Sequence, residues 1–217
     1  MGQDQLKKLL HSGVIAVVRR VDEDKVMHVI SSLVEGGVTG IEMTMDSPNV
    51  LQVIHDAKKK YGDQAVIGAG TVLDAEAAGS AIQAGAEFIF APTLNEGTIK
   101  AAKRYGKIAI PGVFTPTEML QAQEWGADVV KIFPASILGP KFIKDVSGPL
   151  GHIKMMPTGG VDLDNIEDYI RAGAVAAGIG GSLMKPALIE NESWDELTEL
   201  ARQFTSSVTR ARQQMIR

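Results

Sequence analysis

Cysteine is absent from the 217 residues. Its absence excludes thiol catalysis, thiolate metal sites and disulfides, and it is compatible with a cytoplasmic setting without fixing one. Aromatic residues are scarce at 5%, and no basic run is interleaved with them. With 22 Lys and Arg against 26 Asp and Glu, the formal charge of -4 leaves no electrostatic footprint for nucleic acid. Long apolar runs are missing too, and nothing approaches the roughly 18 to 20 residues a membrane helix needs. The N-terminal "MGQDQLKKLLHSGVIAVVRR" carries Lys7 and Lys8, but its apolar run, Val14 to Val18, is shorter than a signal-peptide core. No small-residue cleavage pattern follows it. These absences predict a soluble, cytoplasmic protein with no membrane partner that acts on a small diffusible molecule. No linker rich in proline, serine or like charges interrupts the chain, so residues 1–217 read as one domain.

What the sequence does have is a repeat. Eight short apolar runs alternate with helix-like segments: "VIAVVR", "GIEMTM", "VIGAGT", "FIFAPT", "IAIPGV", "VVKIFPA", "IKMMPTGG" and "AAGIGGS". Small-residue turns precede four of them, at Gly36-Gly37, Gly85-Ala86, Gly126-Ala127 and Gly173-Ala174, where glycine can close a helix in the left-handed conformation. Strands apolar on both faces and separated by helices belong to parallel sheets covered by helices. Even spacing of eight units predicts an α/β fold, a single (β/α)8 TIM barrel, over an open doubly wound sheet. Flanking helices are predicted over Gln3 to His11 and Glu190 to about Gln213, the latter with Trp194, Leu197, Leu200, Ala201, Phe204 and Val208 as a core-facing stripe.

In such a barrel the chemistry lies at the C-terminal ends of the strands. Lys131 interrupts the sixth apolar run, on the same face as Val129 and Phe133. An ammonium there must find a partner, reach water or lose its proton, and losing it makes a nucleophile. Glu42 is equally out of place in the second run, sharing a face with Thr44. The pair reads either as a buried ion pair of little net stability or as an amine nucleophile beside a proton shuttle. Two glycine-rich turns, "PTGGV" (Pro157 to Val161) and "GIGGS" (Gly178 to Ser182), follow the seventh and eighth strands, where backbone N–H groups hold phosphate in these barrels. "GIGGSL" lacks the dinucleotide spacing. Thr71, in "GAGTVL", offers a hydroxyl for a substrate carboxylate or belongs to a helix N-cap region before Asp74. His11, His28, His55 and His152 lack metal-ligand spacing and read as surface or packing residues.

In order along nearly the whole chain, "E-x-T" from Glu42, "GAGTVL", Pro92 in "FAPT", "PGVFTPTE", "KIFPA", "PTGGV" and "GIGGS" resemble the bacterial 2-keto-3-deoxy-6-phosphogluconate aldolase and 4-hydroxy-2-oxoglutarate aldolase family. The resemblance implies a class I aldolase, a homotrimer with no metal and no cofactor, in which Lys131 forms a Schiff base with the ketone carbon of a 2-keto acid. It also implies Glu42 as general acid/base, Thr71 at the pyruvate carboxylate and Phe133 against the pyruvate portion. Thr158, Gly159, Gly160, Gly180, Gly181 and Ser182 would line the phosphate end, with Arg19 and Pro92 as further substrate-binding positions. The implied substrate is a phosphorylated 2-keto-3-deoxy sugar acid, cleaved to pyruvate and glyceraldehyde 3-phosphate, with 4-hydroxy-2-oxoglutarate as a second substrate and the galactonate epimer as the alternative. One position departs: many members carry an arginine where this chain has Asp46. Its carboxylate is expected to accept hydrogen bonds from substrate hydroxyls. A phosphosugar epimerase, or a phosphate-binding barrel without catalysis, is the rival reading. The first would want paired carboxylates and has no need of Lys131; the second cannot be separated by fold alone.

Overall fold

The computed structural model describes residues 2–215. Its strands are β1 (Val14–Val18), β2 (Gly40–Thr44), β3 (Val66–Gly70), β4 (Phe88–Phe90), β5 (Ile108–Ile110), β6 (Gly112–Val113), β7 (Val130–Ile132), β8 (Met155–Pro157) and β9 (Ala177–Ile179). Helices separate all of them but β5 and β6, and every strand pair is parallel. At the four predicted turns the left-handed residues are Gly37, Gly85, Gly126 and Gly173. Each lets the chain leave a helix and re-enter the sheet within a few residues.

The sheet is curled and comes as two ladders, in the orders β5-β4-β3-β2-β1-β9 and β6-β7-β8. Nine strands stand where eight apolar runs predict eight, because the fifth run, "IAIPGV", is split at Pro111. Proline has no N–H to give a ladder, so pairing stops and restarts around it. At the other junction a bridge between Thr158 and Gly178, and the Val175 N–H donating to the Met155 carbonyl at 3.0 Å, link the ladders.

On the concave side, Ile15, Val66, Phe88, Phe90, Ile108, Ile110, Val129 and Met156 form a compact inner core. Space is tight: a Cβ on Gly68 would lie 2.3 Å from the Phe88 ring, so only glycine admits that side chain. The N-terminal helix, Gly2–His11, caps the strands' N-terminal ends by burying Leu9 in this core with Leu6 and Leu10 against it. Full burial of one such leucine stabilises by about 1.5–3 kcal/mol. The larger core lies between strands and helices.

The helix expected from Glu190 to about Gln213 runs over Trp194–Met215, starting later because Glu192 adopts a left-handed φ of 53° after a separate short helix, Pro186–Glu190. Leu197, Leu200, Ala201, Phe204 and Val208 bury as the stripe predicts, and Trp194 stacks on His28 at 5.5 Å. Arg212 then donates to the carbonyls of Leu10, His11 and Val175, tying the last helix to the capped end. The strands' C-terminal ends are thereby left as the open face. Among the described residues no helix is long and apolar enough to cross a membrane.

Candidate active site

Two charged side chains lie in the dry wall at the strand ends. Glu42 stands mid-β2, opposite Val17 of β1 and Gly68 of β3, and is 1% exposed. Lys131, in β7 opposite Gly112 and Met156, is 6% exposed. The carboxylate fits because residue 70 is glycine: a Cβ there would lie 1.6 Å from Glu42 Oε1. Glu42 Oε2 has no hydrogen-bond partner, an arrangement costly for a buried oxygen unless a ligand or proton uses it.

The two heads perturb each other less than their burial does. Desolvation lifts Glu42 from the ordinary 4.5 to about 7, against the opposing pull of Lys131 and Arg19. Desolvation also lowers Lys131, helped by the Arg19 charge and opposed by Glu42. The Lys131 ammonium position lies 4.3 Å from the Phe90 ring centroid and 4.6 Å from that of Phe133. The two rings favour the ammonium through their faces, while burial favours the neutral amine.

Lys131 opens into a cavity of about 420 Å³. Arg19, Thr71, Pro92 and Phe133 line it from the ends of β1, β3, β4 and β7, and Thr158, Gly159, Gly160, Gly180, Gly181 and Ser182 line it from the turns after β8 and β9. Every predicted site residue therefore reaches this one cavity except Glu42, which lies in the wall beside it. Val17, Val161, Asp162 and Gly178 also line it without having been singled out as site residues. Period-two spacing from Ile15 in β1 would have pointed to Val17; nothing local distinguishes Asp162, whose carboxylate accepts from the N–H groups of Asp164 and Asn165.

The glycine end is built of backbone. Gly160 is left-handed at φ 78°, and a Cβ there would strike Ser136 at 2.5 Å; Gly181 faces open space, with nothing within 4 Å of its missing Cβ. Ser182 Oγ donates to the Val161 carbonyl at 2.6 Å, fastening one turn to the other. The buried Thr158 hydroxyl, in the same lining, has no partner. N–H groups left pointing into a concave turn are suited to an anion.

At the mouth, Arg19 donates to Asp46 Oδ2 at 2.8 Å and to Thr71 Oγ1 at 2.9 Å. Arg20 donates to the same Asp46 oxygen. Asp46 Oδ2 is thus engaged by two guanidiniums, a contact the expectation of substrate hydroxyls at this carboxylate does not include. Desolvation pushes its carboxyl up, but hydrogen bonding with Thr44 and the charges of Arg19 and Arg20 outweigh it and hold the group below the usual carboxylate range. Thr71 is itself left-handed at φ 55°, and the helix cap is made by Asp74, which accepts from the Ala77 N–H at 2.7 Å. The Thr71 hydroxyl remains at the cavity.

Comparison with known proteins gives a consistent result. The family model for KDPG and KHG aldolases matches residues 5–200. The chain is 35% identical over 173 residues to the 2-dehydro-3-deoxy-6-phosphogalactonate aldolase of Escherichia coli strain K12, covering 79% of this chain and 84% of that one. It is 32% identical over 206 residues to the 2-dehydro-3-deoxy-phosphogluconate aldolase of Dickeya dadantii, covering 94% and 96%. Among solved structures, the KDPG aldolase of Legionella pneumophila, with pyruvate captured as a covalent carbinolamine intermediate, superposes with a TM-score of 0.83 at 27% identity, covering 89% and 94%.

Proposed function

The chain belongs to the KDPG and KHG aldolase family and is a lyase, and on that premise we propose that it cleaves a phosphorylated 2-keto-3-deoxy sugar acid through a Schiff base on Lys131. The observation that carries this reading is Lys131 itself. A lysine held dry against two aromatic rings, with its pKa lowered by burial, opens onto a cavity also lined by glycine turns. A buried ion pair with Glu42 would stabilise little after desolvation, which is a weak structural reason for an ammonium there.

In the proposed reaction the neutral Lys131 amine adds to the C2 ketone, and the carbinolamine hydroxyl takes a proton from solvent and leaves as water, giving an iminium whose later hydrolysis returns that proton. Glu42 as carboxylate takes the C4 hydroxyl proton. The C3–C4 bond breaks, its electron pair moves into the iminium to form an enamine, and glyceraldehyde 3-phosphate departs. Glu42 returns the proton to C3, and water hydrolyses the resulting iminium to release pyruvate and the free amine. An acid that titrates near 7 suits both halves of this task. Thr71 and Arg19 serve the keto-acid carboxylate, Phe133 and Pro92 its flanks, and the turns with Thr158, Gly159, Gly160, Gly180, Gly181 and Ser182 the phosphate. 4-Hydroxy-2-oxoglutarate, with the same 2-keto acid head, is a second candidate substrate.

The gluconate and galactonate substrates differ at C4 and give the same products. The similarity to the Escherichia coli galactonate enzyme supports the second epimer as fully as the Dickeya relative supports the first. Pyruvate release measured on both C4 epimers decides between them. Absence of cleavage of either would count against the substrate class. We read residues 1–217 as one catalytic domain and the two ladders as one eight-stranded barrel, supported by the links from Thr158 and Val175 across their junction. In the homotrimer that the family resemblance implies, the exposed apolar residues Leu73, Phe114 and Ile137 are candidates for burial against a partner subunit.

A further inference from the structure

The structure joins the ends of β1 and β2 by more than a surface ion pair. Asp46 Oδ2 takes N–H groups from Arg19 at 2.8 Å and from Arg20 Nε at 3.0 Å, with Arg20 Nη2 at 2.9 Å. The Arg20 backbone is left-handed at φ 50°, a conformation non-glycine residues rarely adopt without compensation, and its N–H donates to Ser47 Oγ at 2.8 Å. Ser47 Oγ in turn lies 3.0 Å from Thr44 Oγ1. The turn after β1 is therefore stapled to the turn after β2, and the staple fixes Arg19, whose second nitrogen reaches Thr71 at 2.9 Å.

Arg19 and Lys131 are the two cations among the described residues lining the cavity. Once Lys131 is spent on the ketone, Arg19 is the charge left for the adjacent carboxylate. A guanidinium held at two of its nitrogens has lost its freedom before the ligand arrives, so the ordering cost is not charged against binding. We propose that Asp46 is a positioning residue, which holds Arg19 against Thr71 so that the guanidinium is ready for the carboxylate of a 2-keto acid. The proposal rests on the aldolase reading above. It predicts a role in binding the acid and none in bond cleavage, since the Asp46 oxygen that reaches Arg19 is taken up by the two guanidiniums.

The test is the rate of borohydride trapping of pyruvate as a function of pyruvate concentration, in wild type, Asp46→Ala, Arg19→Ala and the double variant, each at low ionic strength. Asp46→Ala should raise the half-saturating pyruvate concentration roughly fivefold, the scale of a partly exposed ion pair, with the saturating rate near wild type. Asp46→Ala should add nothing in the Arg19→Ala background, because its effect runs through that side chain. Asp46→Glu, which retains a carboxylate, should recover part of the loss. Should Asp46→Ala not fold, Asp46→Asn keeps the shape and replaces it in the same cycle. A half-saturating concentration that is unchanged or lowered by Asp46→Ala overturns the proposal, the latter because it would mean Asp46 merely cancels the Arg19 charge. An equal effect in the Arg19→Ala background overturns it too. No adduct in wild type at any concentration would instead sink the aldolase reading, and this inference with it.

Discussion

Replacing Glu42 with glutamine removes one proton site and leaves the shape of the wall intact. The side chain is 1% exposed, and the glycine at 70 leaves room for either head group, so the variant should fold. A positioned acid/base contributes on the order of 10² to 10⁴ in rate, or roughly 3 to 5 kcal/mol of barrier. The upper part of that range is expected here, because Glu42 Oε2 has no protein partner competing for it and the group titrates near its working pH. The pH dependence gives a second reading of the same perturbation. The carboxylate is the form that takes the C4 proton, so wild-type kcat, read at saturation with Lys131 already in the Schiff base, should fall on the acid side of about pH 7 and the variant should lack that limb. Stability runs the other way. A carboxyl whose folded pKa is raised above 4.5 contributes stability that is fully present below 4.5 and is lost as pH rises through about 7, at most roughly 3 kcal/mol. Thermal melts should therefore show Glu42→Gln gaining on wild type as pH is raised across that interval. Stopped-flow turnover near wild type, or an acid limb retained in the variant, would refute the assignment of the proton shuttle to Glu42.

Gly70→Ala should lower turnover on the order of 10²-fold with a cooperative melt preserved, since the new methyl meets the flexible Glu42 carboxylate and displaces it. Activity unaffected by that change would mean the carboxylate position is unimportant. Gly181→Val should raise KM for the phosphorylated substrate while leaving pyruvate trapping unchanged, because residue 181 lines the cavity and a Cβ there meets no protein atom within 4 Å. Equal loss in both assays would remove the glycine turn from phosphate binding. Gly160 is the poorer position for this test, as a Cβ there collides with Ser136 and the left-handed backbone disfavours any side chain.

The features legible in the sequence are those where a residue contradicts its local pattern. Lys131 and Glu42 are charges in apolar strands, and the turns after β8 and β9 place glycines where a barrel holds anions; strand and helix alternation carried the rest of the parallel α/β architecture. Features that depend on where separate turns meet were not legible. Asp46 looked like a group free for substrate because its partners, Arg19 and Arg20, lie 26 and 27 positions away on another strand end. The need for glycine at 70 follows from the path of the Glu42 side chain across β3, which no spacing rule encodes. The break at Pro111 was within reach, since proline interrupts any ladder, but the apolar run concealed it.

The account stands on the amine of Lys131 as the nucleophile. Reduction with borohydride in the presence of pyruvate, followed by digestion and mass spectrometry, reads this directly, with Lys131→Met as the control because its apolar side chain suits the dry strand. The account predicts one reduced pyruvate adduct on the peptide containing Lys131, and in Lys131→Met a folded protein with no adduct and no turnover. An adduct mapped to another lysine, or undiminished turnover in folded Lys131→Met, would contradict it.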